Sequence, residues 1–338
     1  MKFRDYSMFL LPAIEKGLRS TIISDIPESF PGLREMMNYH FGWDENGLGS
    51  KILGKQIRPI ILLLSNILCG GDWKKALPAA ISIELIHNFS LIHDDIEDQS
   101  DLRRGRKTLW KIYGMAQAIN TGDAMFSLAQ IKMLKTGKEI DKQIGFDAME
   151  KLNETCLILT GGQNLDITFE DQTKVTQDNY LAMVSGKTAA LLSASAEIGG
   201  ITARTTATNR LALRDYGKAL GLAFQAWDDW LGIWGKEELT GKSTSSDLFT
   251  GKKTLPILFA LEKGENFFKN YRPEKAIGDN LQELLRMLED EGAKEFTENI
   301  AKQHTKVALA SLEKINVVDE DAFQALVELT DLLIKRNH

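Results

Sequence analysis

Cysteine and long uncharged apolar runs are scarce in this chain of 338 residues, and each scarcity excludes a class of protein. The two cysteines, Cys69 and Cys156, form no CxxC pair and have no histidine at a metal-ligand spacing. This usage is typical of reduced thiols in a cytoplasmic protein rather than of disulfides or a zinc site. No uncharged run approaches the roughly 20 residues that cross a bilayer, so no transmembrane segment is predicted.

A surplus of positive charge is also missing. The formal net charge is −6, which argues against general nucleic-acid binding. Near the start of the sequence a short apolar run is interrupted by Pro12 and followed by Glu15 and Lys16, without a small-residue cleavage site. These features favour a first amphipathic helix over a signal peptide.

Strand signals are nearly absent, because strict polar–apolar alternation is rare and no Asn-Gly or Asp-Gly turn is flanked by β-branched runs. Helical periodicity dominates instead, in the stretches Ala79–Asp98, Ala124–Leu134, Ala148–Leu159, Tyr180–Ile198, Leu211–Ile233 and Asp321–Lys335. The breaks fall at Phe41–Gly54, Thr136–Gly137, Thr168–Asp178, Thr202–Asn209, Gly232–Lys253 and Gly264–Pro273. None of these is a long flexible linker, so we predict a single all-α domain over residues 1–338, without a helical repeat.

An acidic cluster ends the first of these stretches, at Asp94-Asp95-Ile96-Glu97-Asp98. Asp94 and Asp98 lie one turn apart, on the helix face that also carries Glu84 and His87. Carboxylates at this spacing repel each other, and at a helix C-terminus they also oppose the helix dipole. A solvated helix end is the simpler alternative, but the electrostatic cost favours a bound cation, such as Mg²⁺ bridging the carboxylates to a diphosphate.

A second acidic pair, Asp228-Asp229, lies near the end of another helical stretch. Gln225, Asp228 and Gly232 share one helix face by their spacing, and Asp229 neighbours Gln225. On its own, an Asp-Asp pair is most simply interpreted as two solvent-exposed carboxylates. In combination with the first cluster it predicts a second carboxylate site for a metal ion.

Basic residues follow or precede these clusters in the segments Gly54-Lys55-Gln56-Ile57-Arg58-Pro59, Arg103-Arg104-Gly105, Gly186-Lys187-Thr188 and Gly241-Lys242. The Gly-Lys-Thr segment is similar to part of a phosphate-binding loop, but the upstream glycine and a preceding strand are missing, so that interpretation is rejected. Taken singly, each of these cations is typical of a surface position. Because they accompany two acidic clusters, we predict that together they bind anions.

Together the motifs resemble the trans-isoprenyl diphosphate synthases of the polyprenyl synthetase family, in the right order between residues 50 and 260. The matching segments are Leu53-Gly54-Lys55-Gln56-Ile57-Arg58-Pro59; Glu84-Leu85-Ile86-His87; Leu91-Ile92-His93-Asp94-Asp95-Ile96-Glu97-Asp98; Arg103-Arg104-Gly105; Gly122-Asp123; Gly162-Gln163 with Asp166; Lys187-Thr188; Phe224-Gln225 with Asp228-Asp229; and Gly241-Lys242 with Asp247 and Lys253-Thr254-Leu255-Pro256.

This resemblance implies a single-domain helical bundle around a deep central cavity, the isoprenoid synthase fold, and a homodimer. It also implies a prenyltransferase that condenses isopentenyl diphosphate with an allylic diphosphate. Three Mg²⁺ ions and several cations would assist loss of the allylic diphosphate, followed by condensation and proton elimination. Apolar walls would protect the carbocation from water.

The resemblance also assigns roles to residues. The metal ligands would be Asp94, Asp95, Asp98, Asp228 and Asp229, with Asp94 and Asp98 at one metal pair and Asp228 at the third ion. The allylic diphosphate would contact Arg103, Lys187 and Lys242, and isopentenyl diphosphate would contact Lys55, Arg58, His87 and Arg104. Gln225 would lie near the reacting centre, and Thr188 belongs to the same substrate-binding set.

Three positions depart from the family pattern. Leu53 replaces a glycine and Gln56 replaces a basic residue in the first basic segment, and Gly232 replaces the last aspartate of the second acidic motif. We interpret Gly232 as a tolerated variant. An aspartate restored at that position is therefore expected to change activity only mildly.

The product length is predicted from the helix before the first acidic motif. At about 100° per residue, Ser90 lies roughly 40° from the direction of Asp94 and Phe89 roughly 140° from it, so ideal geometry favours Ser90 below the metals. The resemblance instead implies Phe89 as the floor that stops the growing chain; packing in the core is the alternative. Met125 and Phe126 are candidates for the opposite wall.

We expect geranylgeranyl diphosphate, with twenty carbons, as the product; farnesyl and geranylfarnesyl diphosphate are the alternatives. Two rival functions share the fold: a terpene cyclase and a non-catalytic subunit of a heteromeric synthase. The retained Lys55, Arg58, His87 and Arg104 argue against a cyclase, because a cyclase needs no second diphosphate site. The retained aspartates argue against an inactive subunit.

Overall fold

The computed structural model describes residues 2–43, 56–172, 174–235, 246–273 and 276–334. In these ranges the regular structure is helical except for one hairpin of two short strands, which confirms the all-α prediction. Clustering of contacts divides the chain into two compact units, each built from separate segments. The first unit comprises Met1–Asn153, Ser195–Arg210 and Asn316–Leu326, and the second comprises Glu154–Ala194, Leu211–Ile315 and Val327–His338. A single domain with a central cavity stays a prediction.

The first unit contains the hairpin and six helices that lie wholly within it. These are α1 (Phe3–Asp25), α2 (Pro31–His40), α3 (Ile57–Leu68), α4 (Trp73–Glu97), β1 (Leu102–Arg103), β2 (Arg106–Lys107), α5 (Leu109–Tyr113) and α6 (Met115–Glu139). α4 packs against α1, α3 and α6. α3 is apolar on almost every face and is correspondingly buried, as expected for a core helix.

Among the described residues, the second unit contains six helices of its own and shares four others with the first. The shared helices are α7 (Lys142–Asp171), α9 (Ala190–Thr202), α10 (Ala207–Trp234) and α16 (Glu320–Ile334). Its own helices are α8 (Gln177–Val184), α11 (Ser246–Thr250), α12 (Leu255–Lys263), α13 (Asn266–Asn270) and α14 (Asp279–Asp290), followed by α15 (Ala293–Leu312). A π-helical turn, Ser185–Ala189, joins α8 to α9.

Two details differ from the sequence prediction. The break expected at Thr136–Gly137 is wrong, because α6 continues to Glu139. Gly137 serves a close crossing instead: a Cβ on Gly145 of α7 would lie 2.5 Å from the Gly137 Cα. The predicted helix Tyr180–Ile198 is real but is interrupted by the π-helical turn.

The N-terminal helix is confirmed as α1, with Pro12 inside it. No helix among the described residues is both long enough and apolar enough to cross a bilayer. Both cysteines are free thiols, and Cys69 is buried.

Candidate active site

In the first unit, the first acidic motif occupies the last turn of α4. Asp95 is 3% exposed and accepts a hydrogen bond from Arg103 Nε at 2.7 Å. Burial raises the pKa of Asp95, while the charge of Arg103 and its hydrogen bond oppose that rise. Asp94 is half-buried and Asp98 is exposed. The tertiary structure thus gives Asp95 a protein cation as its partner, and its role as a metal ligand stays a prediction.

The hairpin after this motif is tight and strained at one residue. Leu102 pairs with Lys107 and Arg103 pairs with Arg106, leaving a two-residue turn of Arg104 and Gly105. Both turn residues have positive φ, 53° for Arg104 and 78° for Gly105, as a type I′ turn requires. A left-handed arginine costs about 1–3 kcal/mol, and such strain is concentrated at functional sites. The sequence did not predict this hairpin, because its turn is Arg104-Gly105 rather than Asn-Gly or Asp-Gly.

A pocket rich in cations lies against this hairpin. Its lining residues are Tyr39, His40, Asp95, Arg103, Arg104, Arg106, Lys107, Thr108 and Leu109. Arg106 lies 4.2 Å above the Tyr39 ring and donates a 3.1 Å hydrogen bond to the Tyr39 carbonyl oxygen. Guanidinium groups at such positions suit a diphosphate, because they bind oxyanions with several N–H groups. The sequence analysis did not identify Tyr39, His40, Arg106 or Lys107.

Arg58, in the first turn of α3, meets His87, in the C-terminal half of α4, as expected for two ligands of one anion. The Arg58 guanidinium lies 3.3 Å from His87 Nε2. Because arginine only donates, the imidazole accepts through Nε2 and is neutral. Burial, and then the charges of Arg58 and Arg104, hold the pKa of His87 well below its ordinary value. Lys55, which the sequence groups with them, lies outside the described residues.

A buried glutamate faces the same cations. Glu84 is 2% exposed, and its Oε1 accepts a 3.0 Å hydrogen bond from the Asn88 amide, while its buried Oε2 has no hydrogen-bond partner. Burial raises the pKa of Glu84 to about 7, although the charges of Arg58 and Arg104 oppose this. Asn88 in turn lies 3.1 Å from His40 Nε2. Glu84 therefore places a buried carboxyl group, with a raised pKa, beside the candidate anion ligands Arg58 and Arg104.

In the second unit, the second acidic motif lies on α10. Asp229 is 2% exposed and accepts hydrogen bonds from the Tyr180 hydroxyl, from Gln225 Nε2 at 3.0 Å and from the Leu255 N–H at 2.9 Å. Burial raises its pKa to about 6, and Lys252 and these donors act against the rise. Protein donors thus surround Asp229, and its role as a metal ligand stays a prediction. Asp228 is half-buried on the neighbouring face.

Gln225 connects this motif to the π-helical turn. Its Nε2 donates to Asp229, and its Oε1 accepts a 3.1 Å hydrogen bond from Thr188 Oγ1. Because an ionised carboxylate only accepts, the contact with Asp229 requires the nitrogen end of the amide, and the oxygen end therefore lies toward Thr188. The structure therefore joins Thr188, Gln225 and Asp229, which the sequence analysis had placed in one site.

Two glycines, Gly162 and Gly186, determine the position of Lys187. A Cβ on Gly162 of α7 would lie 2.1 Å from the Lys187 backbone nitrogen, and one on Gly186 would lie 2.8 Å from the Gly162 Cα. Only glycines at both positions allow α7 and the π-helical turn to approach this closely. Lys187 Nζ then reaches Asp166 Oδ2 at 2.5 Å. π-helical turns are frequent at functional sites, which agrees with this placement.

Two adjacent lysines before α12 have different environments. Lys253 Nζ donates to the carbonyl oxygens of Phe169 and Glu170, near the end of α7, and so stabilises a helix C-terminus. Lys252, which the sequence analysis did not select, faces carboxylates. Loss of hydration lowers the pKa of Lys252, but attraction by four carboxylates outweighs this and raises it. The four carboxylates are those of Asp229, Asp247, Asp228 and Asp166. Gly241 and Lys242 lie outside the described residues.

The residues present fit a divalent metal bound together with a substrate anion. Within the described ranges, no three His, Cys, Asp or Glu side chains are already grouped as a ligand set. Mg²⁺, however, is commonly held by one or two carboxylates and by phosphate oxygens. The charges of Asp166, Asp228, Asp229 and Asp247 all act on Lys252, so carboxylate oxygens are concentrated in this part of the second unit. Oxygen donors of this kind suit a hard cation such as Mg²⁺.

Comparison with known proteins identifies the class. The sequence profile of the polyprenyl synthetase family matches residues 48–288. A (2E,6E)-farnesyl diphosphate synthase of Mycobacterium tuberculosis is 38% identical over 312 residues, covering 89% of this chain and 85% of its own. The chain therefore belongs to the polyprenyl synthetase family, which confirms the resemblance, and it is a prenyltransferase.

Two solved structures have the same fold as this chain. The geranylgeranyl pyrophosphate synthetase of Pyrococcus horikoshii superposes with a TM-score of 0.88 at 32% identity, covering 99% of this chain and 98% of its own. A polyprenyl synthase of Caulobacter crescentus, complexed with calcium and isoprenyl diphosphate, has a TM-score of 0.82 at 28% identity and covers 99% and 98%. The isoprenoid synthase fold is thus confirmed, and the family uses a divalent metal ion for catalysis.

Proposed function

We propose that this protein condenses isopentenyl diphosphate with an allylic diphosphate to give geranylgeranyl diphosphate. The most direct support is that the first unit contains both an acidic motif and a separate group of basic side chains. Asp94 and Asp98 end α4, while Arg58 and His87 form a contact of 3.3 Å nearer its start. One site for a metal-bound diphosphate and one for a second diphosphate are what a condensation requires.

In the first unit, the proposed roles follow the contacts. Asp94 and Asp98 would hold metal ions, while Arg103 both neutralises Asp95 and presents its remaining N–H groups to the allylic diphosphate. Arg58, His87 and Arg104 would hold isopentenyl diphosphate, together with Lys55. A neutral His87 would donate through Nδ1 to the anion while Nε2 accepts from Arg58.

In the second unit, Asp228 would contact the third metal ion. Lys187, now paired with Asp166, and Lys242 would bind the allylic diphosphate. Asp229 would act through its hydrogen bond to Gln225, which keeps that amide oriented toward Thr188. The three Mg²⁺ ions, when bound, would supply positive charge to the departing diphosphate.

The protein groups then perform the remaining tasks. Arg103 and Lys187 would stabilise negative charge that develops on the leaving diphosphate as the allylic C–O bond breaks. The double bond of isopentenyl diphosphate attacks the allylic cation, and a proton leaves the adjacent carbon to the released diphosphate. Gln225 would orient the reacting centre without exchanging a proton. No nucleophilic side chain is required.

Product analysis tests the proposal. Purified protein would be incubated with Mg²⁺, isopentenyl diphosphate and dimethylallyl, geranyl or farnesyl diphosphate in turn, and the dephosphorylated products separated by gas chromatography. We expect geranylgeraniol from each starter. A hydrocarbon formed from an allylic diphosphate alone would indicate a cyclase, and no product from any starter would indicate a non-catalytic subunit.

A homodimer and a cytoplasmic location belong to the same proposal. Exposed apolar side chains lie along α6 at Met115, Ile119, Ile131 and Leu134, which are 40–58% exposed. Exposed apolar side chains of this kind are typical of a surface that another subunit covers. Sedimentation equilibrium would test the dimer, and Ile131→Glu, which replaces one of these apolar side chains by a charge, should shift the protein to monomer.

A further inference from the structure

The two oxygens of the Asp229 carboxylate have different partners. Oδ2 accepts hydrogen bonds from the Tyr180 hydroxyl and, at 2.9 Å, from the Leu255 N–H. Oδ1 accepts a hydrogen bond from Gln225 Nε2 at 3.0 Å. Because the two oxygens belong to one rigid group, the donors that fix Oδ2 also determine where Oδ1 lies. The Gln225 amide is therefore directed by two groups that bind the other oxygen.

The Tyr180 side chain is held in place by the core of the second unit. Tyr180 lies on α8, is 4% exposed and belongs to one apolar cluster with Ala226 of α10 and Leu255 of α12. Its ring is thus fixed by packing, while its hydroxyl donates to a buried carboxylate. A hydrogen bond to a charged group is among the stronger ones in a protein. The hydroxyl therefore does more than fill space in the core.

Within the described part of the second unit, Asp229 accepts from three donors, and they are not equivalent. The Leu255 N–H belongs to the backbone at the start of α12, and Gln225 is the group that is oriented. Tyr180 is the side chain that holds Oδ2. Because Asp229 is only 2% exposed, water cannot readily replace a donor that is lost.

The same contacts continue to the π-helical turn. Gln225 Oε1 accepts a 3.1 Å hydrogen bond from Thr188 Oγ1, and Thr188 lies within the turn Ser185–Ala189. A chain of hydrogen bonds thus runs from Tyr180 through Asp229 and Gln225 to Thr188. Residues in such a network act as a unit, so a change at one end alters the other.

We infer that Tyr180 is a positioning residue: its hydroxyl fixes the Asp229 carboxylate and thereby orients the Gln225 amide at the reacting centre. This inference rests on the proposed function, which places Gln225 near that centre. Tyr180 acts through Asp229 and Gln225 and is assigned no contact with a substrate. The competing interpretation is that the hydroxyl contributes only to the stability of the second unit.

The test begins with Tyr180→Phe, which removes the hydroxyl and keeps the ring. The kcat and both KM values of the full-length protein would be measured with Mg²⁺, isopentenyl diphosphate and geranyl diphosphate. We expect kcat to fall roughly 10-fold, the size of effect that a hydrogen bond to a charged group commonly has. The KM for isopentenyl diphosphate should stay nearly unchanged, because Arg58 and His87 belong to the first unit.

A double-mutant cycle separates positioning from stability. Gln225→Leu should lower kcat by itself, and Tyr180→Phe added to Gln225→Leu should lower it little further, because the amide that Tyr180 orients is already gone. A hydroxyl that only stabilises the fold would instead lower kcat by the same factor in both backgrounds.

Tyr216→Phe is the matched control. Tyr216 is a fully buried tyrosine of α10, and its hydroxyl lies 3.0 Å from Thr330 Oγ1. This variant also loses a buried hydroxyl of the second unit but should keep the wild-type kcat. Replacement of Tyr180 by p-aminophenylalanine, which retains an N–H donor, should keep more of the kcat than Tyr180→Phe. Circular dichroism would measure the folding of each variant.

The outcomes separate this inference from the proposed function. Wild-type protein that forms no product from these substrates would contradict both. An active wild-type enzyme whose kcat is unchanged by Tyr180→Phe would overturn this inference alone, and so would equal effects of Tyr180→Phe in the two backgrounds. A Tyr180→Phe protein that is unfolded, beside a folded Tyr216→Phe protein, would assign the hydroxyl to the stability of the core and would also overturn it.

Discussion

The rings of Phe89 on α4 and Phe126 on α6 meet edge to face, with centroids 5.3 Å apart and planes inclined by 62°. Phe89 also contacts the His93 ring at 4.8 Å, and a Cβ on Gly122 would lie 2.3 Å from His93 Nε2, so glycine is needed for His93 to fit. Ser90, favoured by ideal helix geometry, instead donates its hydroxyl to the His87 carbonyl oxygen at 2.9 Å. Phe89 thus contacts Phe126, the residue expected on the opposite wall, and we take this aromatic pair as the candidate floor.

Product length tests this pair. If the two rings form the floor, Phe89→Ala should lengthen the main product by one or more five-carbon units, because the path along α4 opens. Phe126→Ala should do the same to a smaller extent, and the double variant should give the longest products. Radiolabelled isopentenyl diphosphate and reversed-phase chromatography of the products would measure this.

The control for product length is Phe146→Ala, which removes a 64% exposed ring of the same unit. It should leave the product unchanged. An active Phe89→Ala enzyme with the wild-type product distribution would assign Phe89 to core packing and place the floor elsewhere.

Substrate affinity tests the role of Arg104. Arg104→Ala should raise the KM for isopentenyl diphosphate roughly 10- to 100-fold, since a charge-assisted hydrogen bond contributes about 1.5–3 kcal/mol. The KM for the allylic diphosphate should change much less. Arg214→Ala, at an exposed arginine bonded to Asp215, is the control. Equal increases for both substrates would refute a dedicated second diphosphate site.

Metal dependence tests the two acidic motifs. Excess EDTA should abolish condensation, and added Mg²⁺ should restore it. Asp94→Ala and Asp228→Ala should each lower kcat by orders of magnitude, because both remove carboxylates from the proposed metal sites. Full activity in EDTA, measured with radiolabelled substrate, would contradict the proposed mechanism.

The pH dependence of stability tests Glu84. Its pKa in the folded protein is about 7, above the ordinary value of 4.5, so its contribution is fully present below pH 4.5 and is lost as the pH rises to about 7. Relative to Glu84→Gln, the wild-type protein should lose on the order of 2–4 kcal/mol across this window. Urea unfolding of both proteins at pH 5, 6, 7 and 8 would measure the difference.

The matched control for this measurement is Glu313→Gln, which removes one negative charge at an exposed position. Its stability difference from wild type should stay nearly constant with pH. A Glu84→Gln difference that is equally flat would mean that Glu84 ionises in the folded protein as it does in the unfolded chain.

Much of the site was predictable because it is local in sequence. Spacing along a helix fixes which side chains share a face, and this placed Asp94 with Asp98 and Gln225 with Asp229. It did not reveal which carboxylate of each Asp-Asp pair is buried, since either side of a helix can face the core. Packing decided that Asp95 and Asp229 are the buried ones.

The sequence by itself determined the helical class, the order of the motifs and hence the family, because periodicity and composition are properties of neighbours along the chain. Only the tertiary structure decided that Tyr180 meets Asp229, that Arg58 meets His87, and that Asp247 fills the space beside Gly232. Each of these contacts joins residues from different helices. Their meeting depends on how whole helices pack, which no local pattern specifies.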